Sequence, residues 1–502
     1  MKSFPYPRRA AAALALCAFC LQFQSVQAAD KQLLDVLLAN GAITQAQYEQ
    51  LLESASTCEP APSASAAGAQ TVTAPFAEAP APLPAVDGAG EGGAGGASGA
   101  AAVAQQPPAD TAEDNSAVVS YGPSGFRLES RDGNWQTNLQ WRAQFRYSNP
   151  TGGDPRQLAD FDDPTASSFE PRRLRMKIGG HGYQPWIKYY FEVDLQPARD
   201  VDADPVSSGA RVIDWRVDLA KWDWGGIRLG QWKVDLNRER VDSSGRQQFV
   251  ERSIVNRIFT IDRQIGIQLR GRLFDGTPAD LRYYAGIFNG EGRGVRNEND
   301  EHMYMGRLQW NFLGRDVPWR QTDVEYTEKP AASLALAGFT NVGACTRWSS
   351  SGCGNLDGFA SPFVAEPGQF KIDQWVQEFA LKYRGLSIQQ EYHRKNIDDR
   401  VLGTKSELTG AYVQAGYFFH QLFPSWPAPL ELAARYAYVE EPNRTERSIY
   451  NERREYTVGA NWFFSGHNNK LTLDYSYLTM DDPLAGEDGS QNRVRLQWDV
   501  SF

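Results

Sequence analysis

The chain has 502 residues and carries 51 Lys and Arg against 61 Asp and Glu, a formal net charge of -10. Eleven of the acids but only four of the bases precede residue 118, so the rest of the chain holds 47 bases against 50 acids, a net charge of -3. Because no region is strongly basic and no nucleic-acid motif is present, the composition argues against nucleic-acid binding.

The amino-terminal segment, residues 1–28, predicts a cleaved secretory signal. Arg8 and Arg9 precede an apolar run that ends at Phe23, and residues 26–28 offer small side chains at the spacing that signal peptidase uses. The run is shorter than the roughly 20 residues that a membrane-spanning helix needs, so a permanent anchor is the less favoured alternative. The mature chain is therefore expected outside the cytoplasm.

Two segments separate this signal from the remainder of the chain. Residues 29–57 carry leucines at helical spacing on both sides of the Asn-Gly pair at 40–41, and Thr44 is placed to cap a second helix, which predicts a short helical segment. Residues 58–118 are rich in Ala, Pro, Gly and Ser and contain no Lys or Arg. Such a composition cannot bury a core and predicts a flexible, disordered linker, with Cys58 left without an assigned partner.

Residues 119–502 predict an all-β fold, a 16-stranded antiparallel transmembrane barrel. Stretches in which apolar and polar residues alternate over about nine or more positions recur sixteen times, from NWQTNLQWRAQFRY at 134–147 to NRVRLQWDVSF at 492–502. An even number is what a bacterial single-chain barrel requires when both termini lie on one side.

The connections between these strands indicate a barrel more strongly than the strands do. Short Gly, Pro and Asn turns alternate with long polar joints, a rhythm typical of outer-membrane barrels and not of soluble sandwiches. The final strand ends on Phe502 and resembles the terminal strand by which bacterial outer-membrane proteins are recognised for insertion; an ordinary edge strand is the alternative for that feature alone. The long joints lie at about 148–171, 196–210, 236–262, 289–302, 340–370, 396–406, 440–452 and 481–491.

The polar face of the strands predicts the lining of a channel. In the first strand, Trp135, Trp141 and Tyr147 share the face expected to meet lipid and its interfaces, opposite the arginines. Arginine presents a fork of donors that suits phosphate and carboxylate oxygens. The predicted anion path on the first five strands comprises Arg142, Arg146, Arg173, Arg175, Lys177, Lys188, Arg216 and Arg228. Later strands add Arg270, Arg272, Arg282, Arg307, Arg435, Arg493 and Arg495.

Acidic side chains share this face, and they leave a second interpretation open. Glu192, Asp194, Asp214 and Asp218 lie among the predicted lining residues. A lumen in which the arginines simply pair with these acids is therefore the alternative to an anion-preferring path.

The third long joint predicts a constriction. A sixteen-stranded barrel is wide enough to leave an aqueous channel, so a selective pore needs a segment folded inward. This joint is rich in arginine, although an external loop fixed by salt bridges or subunit contacts is the alternative. The predicted constriction residues are Lys233, Arg238, Arg240, Arg246 and Arg252.

Few other chemistries are indicated. Cys345 and Cys353 lie eight residues apart in a Gly/Ser-rich stretch, which in an oxidising compartment predicts a disulfide. The sequence has no serine-hydrolase elbow and no phosphate-cradling loop, and no histidine has a second ligand at metal spacing. We therefore predict neither an enzyme nor a metal or cofactor site, a barrel-embedded hydrolase being the alternative.

Several stretches resemble the phosphate-selective porins O and P of Gram-negative bacteria, over about residues 120–502. They are RRLRMKIGG, IKYYFEVDL, IRLGQWKVDL with the QFVERS that follows it, YYAGIFNG and RLQWNF, and LLDVLLANGAITQAQYEQL is similar to a leading segment of many members. The resemblance implies a homotrimer of sixteen-stranded barrels, a third loop folded into the pore, and an arginine ladder leading to a constriction lysine. By strand position, Lys177, Lys188 and Lys233 are the candidates for that lysine.

The sequence thus predicts a porin in the outer membrane of a Gram-negative bacterium. It would contact membrane lipid, keep its amino-terminal segment in the periplasm, and form a water-filled, anion-preferring channel for phosphate or polyphosphate. A porin for organic anions or sugars, and a structural or adhesive barrel with a closed lumen, are the alternatives.

Overall fold

The computed structural model describes residues 117–156, 158–162, 166–195, 210–441, 452–482 and 486–502. The predicted signal, the helical segment, Cys58 and the linker up to residue 116 lie outside the described residues, as do most of the joints at 196–210 and 440–452. Among the helices in this part of the chain, none is long and apolar enough to cross a membrane.

Sixteen strands form a closed antiparallel barrel, which confirms the predicted fold class. Each barrel strand pairs with the next one along the chain, and the last pairs with the first. The barrel strands are β3 (Gln136–Asn149), β4 (Ser168–Gly182), β5 (Gln184–Asp194), β6 (Arg211–Trp222), β7 (Gly225–Lys233), β8 (Arg263–Leu273), β9 (Leu281–Phe288), β10 (Met303–Trp310), β11 (Ala331–Gly343), β14 (Phe370–Tyr383), β15 (Leu386–Asp399), β16 (Thr404–Tyr417), β17 (Leu430–Glu440), β18 (Glu452–Ser465), β19 (Asn469–Asp482) and β20 (Glu487–Ser501).

The smaller elements lie outside the barrel ladder or in its connections. One hairpin precedes the barrel and pairs with the beginning of β3. A second hairpin lies between β11 and β14, where Cys345 and Cys353 are joined by a disulfide. The elements are β1 (Ala117–Gly122), β2 (Gly125–Ser130), β12 (Arg347–Ser349), β13 (Gly352–Gly354), the helices α1 (Ala159–Asp162), α2 (Arg238–Val241) and α3 (Ile254–Phe259), and a 3-10 turn (Phe419–Gln421).

The alternation of side chains along the strands places apolar residues outside and polar residues inside. Because successive residues of a strand point to opposite faces, Trp141 and Phe145 of β3 are 41% and 49% exposed, whereas Arg142 and Arg146 are only 2% and 6% exposed. The outer surface is therefore the apolar one, as the pattern predicts.

Several connections differ from the predicted rhythm of long and short joints. The long joint expected at 481–491 is wrong, because β19 and β20 stay paired up to Asp482 and Glu487. The joint expected at 396–406 is only the turn 400–403, because β15 and β16 stay paired to their ends. The connection 311–330 lies at the end expected to carry short turns, yet it is twenty residues long. It folds into the barrel, where the Lys382 ammonium donates to the Thr322 carbonyl at 2.6 Å.

The connection 234–262, called the inner loop below, also lies inside the barrel. Its backbone N–H groups cannot join the strand ladder, and buried N–H groups require acceptors. Carboxylates of the barrel wall accept them: Glu378 from Arg238 N at 2.9 Å, Glu391 from Glu239 N at 2.6 Å, Glu455 from Ile254 N at 3.0 Å and Asp474 from Val250 N at 2.8 Å.

Lysines of the wall supply the complementary contacts to the carbonyl groups of the inner loop. Lys395 donates to the Ile258 carbonyl at 2.8 Å, and Lys470 donates to the Gln247 carbonyl. The wall acids thus accept from the backbone N–H groups of the inner loop, and the wall lysines donate to its backbone carbonyl groups.

A hydrophobic core fills the interior between the inner loop and strands β9 to β17. Val255, Ile258 and Phe259 of the inner loop are at most 1% exposed within this core. Inward residues of the wall complete it, among them Phe288, Met303, Phe339, Phe370, Ile372, Val376, Ile397, Leu408 and Val439. Much of the lumen is therefore packed protein, which leaves the opposite wall for water and solute.

We expect Glu378→Ala to destabilise the protein strongly. Arg307 donates to both Glu378 oxygens at 2.7 Å, and the substitution leaves this buried guanidinium unpaired, at a cost of about 3–5 kcal/mol in the free energy of unfolding. Thermal unfolding in detergent, followed by circular dichroism, measures the effect. Glu407→Ala is the control, because its ion pair with Arg394 is exposed and contributes about 0–1 kcal/mol. Equal losses in the two variants would contradict the assignment.

Candidate functional site

Partly exposed cations line the wall that the hydrophobic core leaves uncovered. They lie on β4 to β9, and their positions in the ladder place them on the inward face. This cationic wall comprises Lys177, Lys188, Arg216, Arg228, Arg270, Arg272 and Arg282. Because these groups reach the water inside the barrel, they form the candidate site.

Three arginines and two aspartates alternate along the middle of the cationic wall. Asp218 accepts from Arg228 Nε at 2.5 Å and from Arg216 Nε at 3.3 Å. Asp235, which belongs to the inner loop, lies 3.7 Å from Arg228 and 3.5 Å from Arg270. The guanidinium groups outnumber the carboxylates by one, so this row keeps a net positive charge.

Aromatic rings hold two of these arginines in place. The Arg216 guanidinium carbon lies 4.4 Å from the ring centre of Tyr190, and that of Arg270 lies 5.1 Å from the ring centre of Tyr284. Cation–π contacts of this kind favour a fixed orientation of the guanidinium plane. The rings therefore restrict the orientation of these two arginines.

Three cations without a carboxylate partner in the described part of the chain lie on the wall and on the inner loop. Within the described residues, no carboxylate oxygen lies within 4 Å of the charged nitrogens of Lys177, Lys188 or Arg246. Arg246 is the exposed residue near the middle of the inner loop, and its charge acts on that of Lys177. Both the wall and the inner loop thus contribute cations that have no carboxylate partner among the described residues.

Some residues of the predicted anion path contact the inner loop. Arg142 donates to the Ser243 and Ser244 hydroxyl groups at 3.2 and 3.1 Å. Arg146 lies 2.8 Å from the Glu251 carboxylate. Their burial shows that these arginines position the loop, whereas Lys177, Lys188, Arg216 and Arg228 of the prediction reach water.

The two remaining predicted residues of β4 also have carboxylate partners. Arg175 is buried between Glu192 and Asp194, each at 3.0 Å. Arg173 lies 3.7 Å from Glu251 and is partly exposed. Glu192 and Asp194 thus pair with Arg175, as the alternative interpretation expects. Acids do not pair with every cation of the inward face among the described residues.

The predicted constriction residues lie in the inner loop or at its base, and most of them bind the loop itself. The Lys233 ammonium donates to the carbonyl groups of residues 240–242 at 3.0 to 3.4 Å. Arg252 donates to the Glu239 and Asp242 carbonyl groups at 2.8 and 2.7 Å. These cations stabilise the shape of the loop.

Two further constriction residues are buried as well. Arg240 pairs with Asp262 inside the loop. Arg238 donates to the Val317 carbonyl at 3.0 Å and so ties the inner loop to the connection 311–330. Arg246 therefore differs from the other predicted constriction residues in being exposed.

Some contributors had no signal in the sequence. Nothing in the sequence distinguishes Asp235 from other acids or Tyr190 from other tyrosines. Only the fold places them beside the arginines. The connection 311–330 lacks an alternating pattern, and its contacts with the inner loop involve residues more than 70 positions away in the chain.

One group of side chains in the described residues has the donor types of a metal site. Ligand atoms of Glu291, Cys345 and Cys353 lie within 4.8 Å of one another. The disulfide leaves neither sulfur as a thiolate, which is the form that binds metal. We assign no metal to this group.

Comparison with solved structures finds other outer-membrane channels at low sequence identity. The outer membrane channel DcaP of Acinetobacter baumannii is 11% identical, with a TM-score of 0.46 over 74% of this chain and 99% of that chain. An anion-selective porin from Comamonas acidovorans is 14% identical, with a TM-score of 0.47 over 73% of this chain and 99% of that chain.

Comparison of sequences is more specific. An uncharacterised protein of Aquifex aeolicus (strain VF5) is 23% identical over 364 residues, which cover 67% of this chain and 82% of that protein. The model of the family described as phosphate-selective porin O and P matches residues 147–502, which span the barrel from near the end of its first strand to its last. The chain belongs to this family of phosphate-selective porins O and P, and it is an outer-membrane porin.

Proposed function

We propose that this porin is an anion-preferring diffusion channel that takes up phosphate or polyphosphate. The observation that carries the proposal is the cationic wall, whose members remain partly exposed inside the barrel while the opposite side is packed. An anion entering the barrel meets this wall on one side and Arg246 on the other. No catalytic role and no cofactor are part of the proposal.

The arrangement suits passage because each site is weak. Arg216, Arg228 and Arg270 share two aspartates, so a passing anion competes with carboxylates that are already present. Conduction requires binding that is strong enough for entry and weak enough for release. A row of similar, partly neutralised arginines meets both requirements.

The assembly and the amino-terminal segments belong to the same proposal. The exposed apolar side chains of the outer surface, such as Trp141, Phe145 and Trp498, support contact with membrane lipid and with two further copies in a homotrimer. We propose that residues 1–28 are removed on export, and that the helical segment 29–57 and the linker lie in the periplasm.

We expect the purified full-length protein to conduct with an anion preference. In planar bilayers under a KCl gradient, the cationic wall should shift the reversal potential toward that of chloride, and added inorganic phosphate should reduce the chloride current. A reversal potential that favours potassium would refute the anion preference. The absence of steady conductance would favour a structural barrel with a closed lumen, and block by sugars or organic anions but not by phosphate would indicate a different solute.

Neutralising both lysines, in the variant Lys177→Gln/Lys188→Gln, should reduce the anion preference. A unit charge roughly 8 Å away in water stabilises an anion by about 0.5 kcal/mol and destabilises a cation by about the same amount, so each lysine accounts for about a fivefold change in the ratio of anion to cation permeability. The reversal potential measures the change. Lys405→Gln is the control, because its side chain is 83% exposed at the end of β16 and points away from the lumen. Equal shifts in both variants would show that surface charge, not the cationic wall, sets the preference.

A further inference from the structure

One carboxylate of the inner loop forms ion pairs with three arginines of the wall. The Glu251 carboxylate lies 2.8 Å from Arg146, 3.3 Å from Arg172 and 3.7 Å from Arg173. The Glu251 and Arg172 side chains are 23% and 42% exposed. The cluster therefore meets water, unlike the fully buried ion pairs that hold the rest of the loop.

A β-bulge in β4 builds this cluster. Arg173 lies opposite Gln144 and Pro171 lies opposite Phe145, so Arg172 has no residue opposite it in the ladder. In a regular strand two successive side chains point to opposite faces. The extra residue changes the directions in which the neighbouring side chains point, so that the guanidinium groups of two successive residues reach one carboxylate.

The charges of the cluster do not balance. The three guanidinium groups face two carboxylates, Glu251 and Glu170, the second of which lies 3.6 Å from Arg146 and 3.9 Å from Arg172. If the Glu251 carboxylate swings out, the cluster is left with an excess of two positive charges. That excess matches a dianion such as hydrogen phosphate.

Glu251 stays ionised in this setting. Burial alone would raise the pKa of its carboxyl, but Arg146, Arg173 and Arg172 hold that pKa well below its usual range. The arginines therefore face a charged carboxylate at neutral pH.

The backbone beside Glu251 is fixed independently of its side chain. The Glu251 carbonyl accepts from Arg435 at 3.1 Å, and the N–H of the preceding residue, Val250, donates to Asp474 at 2.8 Å. The carboxylate can therefore leave the arginines by side-chain rotation while the loop stays in place.

We propose that Glu251 is a tethered competitor for a dianionic oxyanion at a site formed by Arg146, Arg172 and Arg173. This inference rests on the proposed function, an anion channel, and adds a binding step to it. The arriving oxyanion displaces the Glu251 carboxylate from the guanidinium forks, and the carboxylate returns as the anion moves on. Because the competitor is covalently attached, three converging arginines bind the anion without trapping it.

Phosphate block of the chloride current tests this inference. With the full-length protein in planar bilayers at fixed KCl, Glu251→Gln should lower the phosphate concentration that blocks half of the current by about tenfold, or about 1.4 kcal/mol, and should lengthen single blocking events. Glu251→Asp keeps the charge but shortens the reach of the carboxylate, so we expect an intermediate decrease. Adding Arg172→Gln to Glu251→Gln should reverse the gain.

Two control variants distinguish competition between Glu251 and phosphate for the arginines from a general change in the electrostatic potential of the cluster. Glu170→Gln removes the same charge from the same cluster at longer contacts and should change the block less than Glu251→Gln does. Glu407→Gln, on an exposed pair outside the lumen, should leave the block unchanged. The gel shift of the folded barrel on heating verifies that each variant is folded.

The outcomes distinguish this inference from the proposed function. An anion-selective channel whose half-blocking phosphate concentration changes less than twofold in both Glu251 variants overturns the inference and leaves the proposed function intact. An equal effect of Glu170→Gln and Glu251→Gln also overturns it, because a shared field would then explain both. A cation-selective wild type overturns the proposed function itself.

Discussion

The structure depends on satisfying the backbone of a loop that lies inside a barrel. Most of residues 234–262 are buried and cannot extend the strand ladder, so side chains of the wall must accept and donate in place of water. Glu378, Glu391, Glu455 and Asp474 accept loop N–H groups, and two lysines donate to loop carbonyls. This set of contacts fixes the position of the loop inside the barrel. The position of the loop in turn determines which part of the interior is hydrophobic core and which part meets water.

The position of the loop divides the inward cations into two groups with different roles. Those beneath the loop, such as Arg142 and Arg307, are buried and bonded to the loop or to acids of the wall, because an unpaired buried charge is costly. Those of the cationic wall face the remaining water, and two of them, Lys177 and Lys188, have no carboxylate oxygen within 4 Å among the described residues. A lumen that is rich in charge can therefore be rigid on one side and available to solute on the other.

The cluster around Glu251 lies where these two groups meet. Its carboxylate fastens the loop like the buried acids, yet it is reached by water and sits among more positive than negative charges. A contact that stabilises the loop can therefore also control how firmly the channel holds an anion. The bulge at Arg172 makes this possible, since a regular strand would point one of the two adjacent arginines toward the membrane.

The barrel could be predicted from the chain because alternation is a local property. Each of the sixteen segments carries its own period of two, and that period alone decides which side chains point inward. The inner loop could also be placed, since its length and its arginines are visible in the sequence. The hairpin at 117–130 and the long inward connection 311–330 could not be recognised, because neither carries a long alternating pattern.

The amino-acid sequence by itself determined the strand number, the inward face and the set of arginines that lie on that face. Only the tertiary structure decided which of them meet water. Arg142 meets Ser244, 102 residues away, and Arg146 meets Glu251, whereas Arg216 and Arg228 stay beside water. The physical reason is that exposure and pairing inside a barrel depend on what the inner loop covers, and that depends on contacts between residues far apart in the chain.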